Sequence, residues 1–128
     1  MDKDCFDGRY CVLVVDDEPI NSMLMKRYLK EMEIDSVVAS SSSEVLLEIE
    51  KCSFNLVLMD YKLPDKTGIE VTEEIKKRYP QTRVCIQTAL ESEEIQECVD
   101  SGFFVGYISK PFRRERFFRE VRALLPTN

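Results

Sequence analysis

Histidine is absent from this chain of 128 residues, and no two of its five cysteines form a Cys-x-x-Cys pair. The first absence argues against a zinc site, and the odd, scattered cysteines argue against the disulfide framework of a small secreted protein. We therefore expect a reduced, cytoplasmic environment in which Cys11, Cys85 and Cys98 are small core residues. A chain without histidine also cannot carry a phosphohistidine of its own.

Long apolar runs are also lacking. No run approaches the roughly 20 residues that a membrane-spanning helix needs, and the first residues contain no apolar stretch that could serve as a signal sequence. The net charge of −6 has the wrong sign for a general nucleic-acid-binding protein. With 44% hydrophobic and 33% charged residues, the composition is that of a globular protein. We predict a short extension over residues 1–9 and one domain over residues 10–126, with no contact with membrane or nucleic acid.

Basic residues are concentrated near the end of the chain. Residues 110–122 contain one lysine and five arginines but only two acidic residues, Glu115 and Glu120. Two interpretations remain open for this run. It is either a solvated helix face with local ion pairs or a docking surface for an acidic partner.

Short β-branched runs alternate with helical patterns along the chain. The runs predict five strands, over residues 11–16, 35–40, 54–60, 83–87 and 104–109. The predicted helices have recognisable ends: Pro19 in a first turn, a serine cluster before the second, Pro80 after the third, Gly102 after the fourth and Pro111 opening the fifth. Five β/α units predict a single doubly wound, five-stranded parallel sheet of flavodoxin-like order 2-1-3-4-5.

Carboxylates follow two of these strands at their carboxyl ends. Asp16 and Asp17 close the first apolar run, and Asp60 closes the third. In an open parallel sheet, sites form where the carboxyl ends of neighbouring strands converge. Three carboxylates meeting there would repel one another unless a hard divalent cation lay between them, which predicts a Mg²⁺ or Mn²⁺ site. The alternative is that each Asp only begins the next turn or helix.

Two further polar residues end neighbouring strands. Thr88 follows the fourth strand and Lys110 follows the fifth, so a hydroxyl and an ammonium group are predicted beside the acid cluster. Together these groups suit transfer of a phosphoryl group, with a carboxylate as nucleophile and the positive charges neutralising phosphoryl oxygens. Taken singly, Thr88 is as well explained as a loop or cap residue, and Lys110 as an exposed lysine before a proline.

Four segments of the chain resemble those of a known protein family. These segments are Val14–Pro19, Asp60–Gly68, Thr88–Ala89 and Gly106–Phe112. In this order and at this spacing they resemble the receiver domains of two-component response regulators, of the chemotaxis-regulator-like kind, over residues of about 10 to 125.

The resemblance implies roles for the acidic residues. Asp60 would be the phosphoacceptor, taking the group from a phosphohistidine of a histidine kinase or a histidine phosphotransfer protein. Asp17 and Asp60 would bind the metal directly, together with the backbone carbonyl of Lys62. Asp16 would act chiefly through a water. Such a domain is a signalling switch rather than an enzyme.

The resemblance also implies how the switch works. Thr88 would hydrogen-bond the phosphoryl group, Lys110 would pair with it, and Tyr107 would be the switch aromatic that turns inward. The face formed by the fourth helix, fifth strand and fifth helix would then change and control a downstream protein, with the chain a monomer or a phosphorylation-dependent dimer. In this family the bond before the residue matching Pro111 is usually cis.

Two variable positions bear on the lifetime of the phosphoryl group. Lys62 lies two residues after Asp60, and Leu90 lies two residues after Thr88. A long side chain and an apolar one at these places would obstruct an attacking water. We expect slow self-dephosphorylation.

Three other functions would each require a different set of residues. An aspartyl phosphatase of the haloacid dehalogenase type would have an Asp-x-Asp motif on its first strand, whereas this chain has Asp16-Asp17-Glu18. A flavodoxin-like cofactor binder would have a glycine-containing phosphate cradle there, and a degenerate receiver would lack some of the site residues. We expect a stand-alone receiver. The alternative is a receiver domain excised from a hybrid histidine kinase or a longer response regulator.

Overall fold

A computed structural model describes residues 10–89 and 92–126. Its strands are β1 (Cys11–Val15), β2 (Asp35–Ala39), β3 (Leu56–Asp60), β4 (Val84–Thr88) and β5 (Gly106–Ser109). Its helices are α1 (Pro19–Glu31), α2 (Ser42–Lys51), α3 (Gly68–Arg78), α4 (Glu93–Asp100) and α5 (Arg114–Leu124). The strands form one parallel sheet in the order β2-β1-β3-β4-β5, as predicted.

Helices cover both faces of the sheet, and a hydrophobic core lies under each layer. α2, α3 and α4 pack on one face, around Phe104, while α1 and α5 pack on the other, around Phe117. Every residue of β1, β3 and β4 is buried. Nearly continuous apolar runs are what a parallel sheet covered on both faces requires. Asp60 and Thr88, the last residues of β3 and β4, are polar exceptions at the strand ends.

Local capping fixes where most of the helices begin. Ser41 and Ser92 accept hydrogen bonds from the first turns of α2 and α4, and Thr67 forms a capping box with Glu70 at the start of α3. Gly102 follows α4 with φ +86°, a conformation that favours glycine. These polar caps satisfy backbone N–H groups that would otherwise lack a partner at the helix ends.

The start of the last helix was predicted wrongly. α5 begins at Arg114 rather than at Pro111, because the preceding Arg113 has an extended backbone (φ −114°, ψ 133°). The Lys110–Pro111 peptide bond is cis. The cis bond itself was expected. β3 begins at Leu56 rather than residue 54, since the Asn55 side chain accepts the Cys11 N–H at 2.8 Å. β5 begins at Gly106 rather than residue 104.

Among the described residues, Cys11, Cys85 and Cys98 form no disulfide, as expected for small packing residues. Cys11 and Cys85 are buried, and Cys98 is half-buried. Burial raises the pKa of the Cys85 thiol strongly, which keeps it protonated. The expectation of reduced cysteines is wrong for Cys52, which is disulfide-bonded. Among the described residues, no helix has the length and apolarity needed to cross a membrane.

Candidate functional site

An acid cluster lies at the carboxyl ends of β1 and β3. The two strands are neighbours with Val15 opposite Met59, so Asp16 and Asp60 emerge side by side. Carboxylate oxygens of Asp16, Asp17 and Asp60 lie within 4.8 Å of one another. Asp16 and Asp60 are buried, whereas Asp17 is exposed. The predicted acid cluster is therefore brought together by the fold.

Lys110 reaches this cluster from the end of β5. Its Nζ lies 3.0 Å from Asp60 Oδ1 and 3.2 Å from Asp16 Oδ2, and only 18% of its side chain is exposed. Its backbone N–H donates to the carbonyl of Thr88 at 3.1 Å, which ties the β5 end to the β4 end. One ammonium group thus bridges two carboxylates from different strands.

The electrostatics of the site reflect this crowding. Burial raises the pKa of Asp60 and the charge of Asp16 raises it further, while the hydrogen bond from Lys110 opposes the shift. Burial of Lys110 disfavours its charge, but the hydrogen bond and charge of Asp60, together with Asp16, outweigh this and raise its pKa. Two buried carboxylates thus share one ammonium group.

The donor set fits a hard divalent cation. Asp16 Oδ1 accepts the N–H of Glu18 at 2.9 Å. Asp16 Oδ2 is buried, and its polar contact within the described residues is the ion pair with Lys110. Carboxylate oxygens close together, without sulfur or imidazole ligands, suit Mg²⁺ or Mn²⁺. The residues of the cluster would hold such an ion.

The loop after β3 folds back on the strand end. The backbone of Lys62 donates a hydrogen bond to the Asp60 carboxylate, and Lys62 pairs with Thr67 across the loop. A Cβ atom at Gly68 would lie 2.3 Å from the backbone oxygen of Asp60, so this close approach requires glycine. Ser42, at the start of α2, hydrogen-bonds the Asp65 side chain through its Oγ and holds the loop from outside.

The other residues of the predicted site lie on β4, on β5 and in the segment after β4. Thr88 is buried at the end of β4, next to the β3 end that carries Asp60. Tyr107 is half-buried on β5, at the edge of the sheet, and lines a cavity of about 440 Å³ with residues of α4. Ala89 is exposed, and Leu90 lies outside the described residues. The acids and Lys110 thus form one constellation, and Tyr107 lies at its margin.

Sequence reasoning missed Gln87. This wholly buried side chain lies on β4, opposite Asp60 in the strand register. The available signal was an amide directly after the apolar run Val84-Cys85-Ile86. Buried polar side chains need partners, and those partners are often the reason such a residue is present.

The fold and this edge of the sheet define a doubly wound α/β protein with an acidic cleft at its strand ends. Residues 12–122 match the response regulator receiver domain. The chain belongs to this family, whose members act in two-component systems as signalling switches.

Individual relatives agree with the family assignment. The chain is 31% identical over 117 residues to the hydrogenase transcriptional regulatory protein HoxA of Cupriavidus necator, covering 91% of this chain and 24% of HoxA. A CheY-like receiver domain protein of Methanospirillum hungatei superposes with a TM-score of 0.81 at 28% identity, covering 89% of this chain and 91% of that one. The response regulator TrrA of Thermotoga maritima, solved in complex with Mg²⁺ and BeF, superposes with a TM-score of 0.78 at 28% identity. The match covers 91% of this chain and 99% of TrrA. The chain spans between 13% and 24% of the length of the first curated relatives that it matches.

Proposed function

We propose that this chain is a phosphoacceptor switch of a two-component or phosphorelay system, with Asp60 as the acceptor. The observation that carries the proposal is the position of the Asp60 carboxylate. It is buried at a strand end, 3.0 Å from an ammonium group, and shares its surroundings with two further carboxylates. The phosphodonor would be a phosphohistidine of a histidine kinase or a histidine phosphotransfer protein.

Asp60 would act as the nucleophile. One of its oxygens attacks phosphorus, an acyl phosphate bond forms, and the phosphorus–nitrogen bond to the donor histidine breaks, leaving the imidazole on the partner. Lys110 would pair with the oxygens of the transferred group, since its Nζ already lies beside Asp60 Oδ1. The backbone N–H of Lys62 holds the Asp60 carboxylate in place.

The side chains of Asp16, Asp17 and Asp60 and the backbone carbonyl of Lys62 would hold Mg²⁺ or Mn²⁺, with Asp16 acting chiefly through a water. When bound, this cation would supply positive charge to the carboxylates and to the phosphoryl oxygens. The buried Asp16 Oδ2, whose polar contact within the described residues is the ion pair with Lys110 alone, supports this assignment.

The response to phosphorylation would pass through Thr88 and Tyr107. Thr88 would hydrogen-bond the phosphoryl group, and Tyr107 would turn into the space beside it. The cavity of about 440 Å³ between Tyr107 and α4 is consistent with such a movement. The α4-β5-α5 face would then change and control a downstream protein.

The domain proposed for this role covers residues 10–126, with residues 1–9 as a short extension. We propose that it works as a stand-alone receiver with a protein target and without direct contact with nucleic acid. It would be a monomer or a phosphorylation-dependent dimer. As a domain excised from a longer protein it would carry the same chemistry, because every proposed site residue lies between Asp16 and Lys110.

The test is the intact mass of the wild-type chain after incubation with acetyl phosphate, with and without Mg²⁺. We expect one added phosphoryl group that requires the metal, and no turnover of a small phosphate ester. Absence of the adduct at the shortest trapping times, with Mg²⁺ saturating, would contradict the proposal. Rapid hydrolysis of the ester would instead favour an aspartyl phosphatase.

A long phosphoryl lifetime is a second expectation. The Lys62 backbone contacts the Asp60 carboxylate, so its long side chain starts beside the acceptor. We expect Lys62→Gly combined with Leu90→Ala to shorten the phosphoryl half-life severalfold, because water would reach the phosphorus more easily. The loss of the phosphoryl mass with time, after removal of the donor, measures this.

Lys66→Ala is the matched control for the lifetime experiment. Lys66 is in the same loop, but its ammonium pairs with Glu74 rather than with the acid cluster. Its replacement should leave the half-life unchanged. An unchanged half-life in the Lys62/Leu90 double variant would remove the proposed shielding role.

A further inference from the structure

Gln87 is a fully buried amide beside the acid cluster. It lies on β4 between Ile86 and Thr88, and its Cα is the register partner of Asp60 on β3. Side chains alternate along a strand, so Gln87 points to the same face of the sheet as Cys85, the face covered by α1 and α5. Burying an amide in an apolar layer costs free energy unless hydrogen bonds compensate it.

The amide of Gln87 links two other strands. Its Nε2 donates to the carbonyl of Val15 at 3.1 Å and to the carbonyl of Leu58 at 3.2 Å. Val15 is the last residue of β1, which does not neighbour β4, so the side chain crosses β3 to reach it. Val15 directly precedes Asp16, and Leu58 lies two residues before Asp60. The amide therefore fastens the two strand ends that carry these acids.

The carbonyl oxygen of the same amide differs from the nitrogen in its hydrogen bonding. Gln87 Oε1 is buried and accepts no hydrogen bond within the described part of the chain. The two bonds donated by Nε2 fix the orientation of the amide, so exchanging oxygen and nitrogen would lose both. A buried acceptor left open is a cost to stability, and such costs are characteristic of functional sites.

We infer that Gln87 is a positioning residue for the acid cluster. By tying the ends of β1 and β3 together, it holds Asp16 at a fixed place relative to Asp60 against the repulsion between their carboxylates. Gln87 touches no reacting atom and acts only through its effect on the positions of Asp16 and Asp60. The inference rests on the proposed function, because it assigns Gln87 to the cation-binding cleft of that same site.

A merely structural amide and a positioning amide predict different outcomes on replacement. Gln87→Met keeps the length of the side chain but removes both the donor and the open acceptor. The replacement loses the two hydrogen bonds to the Val15 and Leu58 carbonyls, but it also removes the open buried acceptor, so the two effects on stability oppose each other. If Gln87 positions the acids, the variant keeps its Tm and loses affinity for the cation.

The experiment is calorimetric titration of the full chain with Mg²⁺, together with thermal unfolding in metal-free buffer. We expect Gln87→Met and Gln87→Leu to raise the Kd for Mg²⁺ by about tenfold, the lower end of the usual effect of residues that orient metal ligands. Their Tm should stay close to that of the wild type, because the lost hydrogen bonds and the removed open acceptor have opposite effects on stability. Cys85→Ala, on the same strand and face, should lower the Tm and leave the Kd unchanged.

The other possible results separate a positioning role of Gln87 from a structural one and from failure of the proposed function. A Kd within twofold of the wild type in both Gln87 variants would overturn the inference, as would unfolding of both variants, which would make Gln87 a structural residue. If those Kd values are unchanged while acetyl phosphate still modifies the wild type, only the positioning role fails. If the wild type itself takes up neither Mg²⁺ nor a phosphoryl group, the proposed function fails and the inference with it.

Discussion

Asp60→Asn takes up no phosphoryl group from acetyl phosphate and Mg²⁺, whereas the wild-type chain gains one. We expect this complete loss because the asparagine amide has no carboxylate oxygen to attack phosphorus, while its shape keeps the packing of the β3 end. The other acids of the cluster do not replace Asp60, since Asp16 already accepts the Glu18 N–H and Asp17 is exposed. Intact-protein mass measures the result.

The same variant should remain folded. Burial raises the pKa of Asp60, so at neutral pH its negative charge destabilises the folded chain relative to a neutral side chain. The Tm of Asp60→Asn in metal-free buffer should therefore equal or exceed that of the wild type. Asp65→Asn is the matched control, because this residue lies in the adjoining loop and can still bond Ser42 as an amide. A phosphoryl group retained by Asp60→Asn or lost from Asp65→Asn would show that the acceptor is misassigned.

Lys110→Met destabilises the chain in metal-free buffer, by about 2–3 kcal/mol. Removing one partner of a buried ion pair leaves an uncompensated charge, and here two carboxylates, Asp16 and Asp60, lose their shared ammonium group. Mg²⁺ should restore most of the loss, because the cation brings positive charge to the same oxygens. The measurement is the free energy of unfolding of wild type and variant, each with and without Mg²⁺.

Lys66→Met provides the comparison for this result. The Lys66–Glu74 pair is much more exposed than the Lys110 pairs, so its loss should cost at most about 1 kcal/mol. That cost should not depend on Mg²⁺. If Mg²⁺ stabilises Lys110→Met no more than it stabilises the wild type, Lys110 and the cation do not serve the same carboxylates.

The strand pattern was predictable because a parallel sheet covered on both faces demands continuous apolar runs. β1, β3 and β4 have such runs, and their positions differ from the predicted ones by two residues at most. Boundaries that depend on long-range contacts were harder to predict. The N–H of Cys11 is bound by the side chain of Asn55, 44 residues away, which no local propensity encodes.

The start of α5 shows the limit of local rules. Pro111 is a suitable first residue for a helix by conformation alone, and the prediction used that rule. In the structure the backbone is still extended at Arg113, so the helix begins at Arg114. By contrast, the signal for the capping box of Thr67 and Glu70 was present in the sequence and was not used.

By itself, the sequence determined the order of the elements and the residue types at each strand end, because hydrophobic periodicity and terminal carboxylates are local properties. Only the tertiary structure decided which of these ends meet and at what distance. The 3.0 Å contact between Lys110 and Asp60 joins residues 50 positions apart. The role of Gln87 depends on a side chain that crosses from β4 over β3 to β1. Such contacts follow from strand order, register and twist of the whole sheet, and no single segment specifies them.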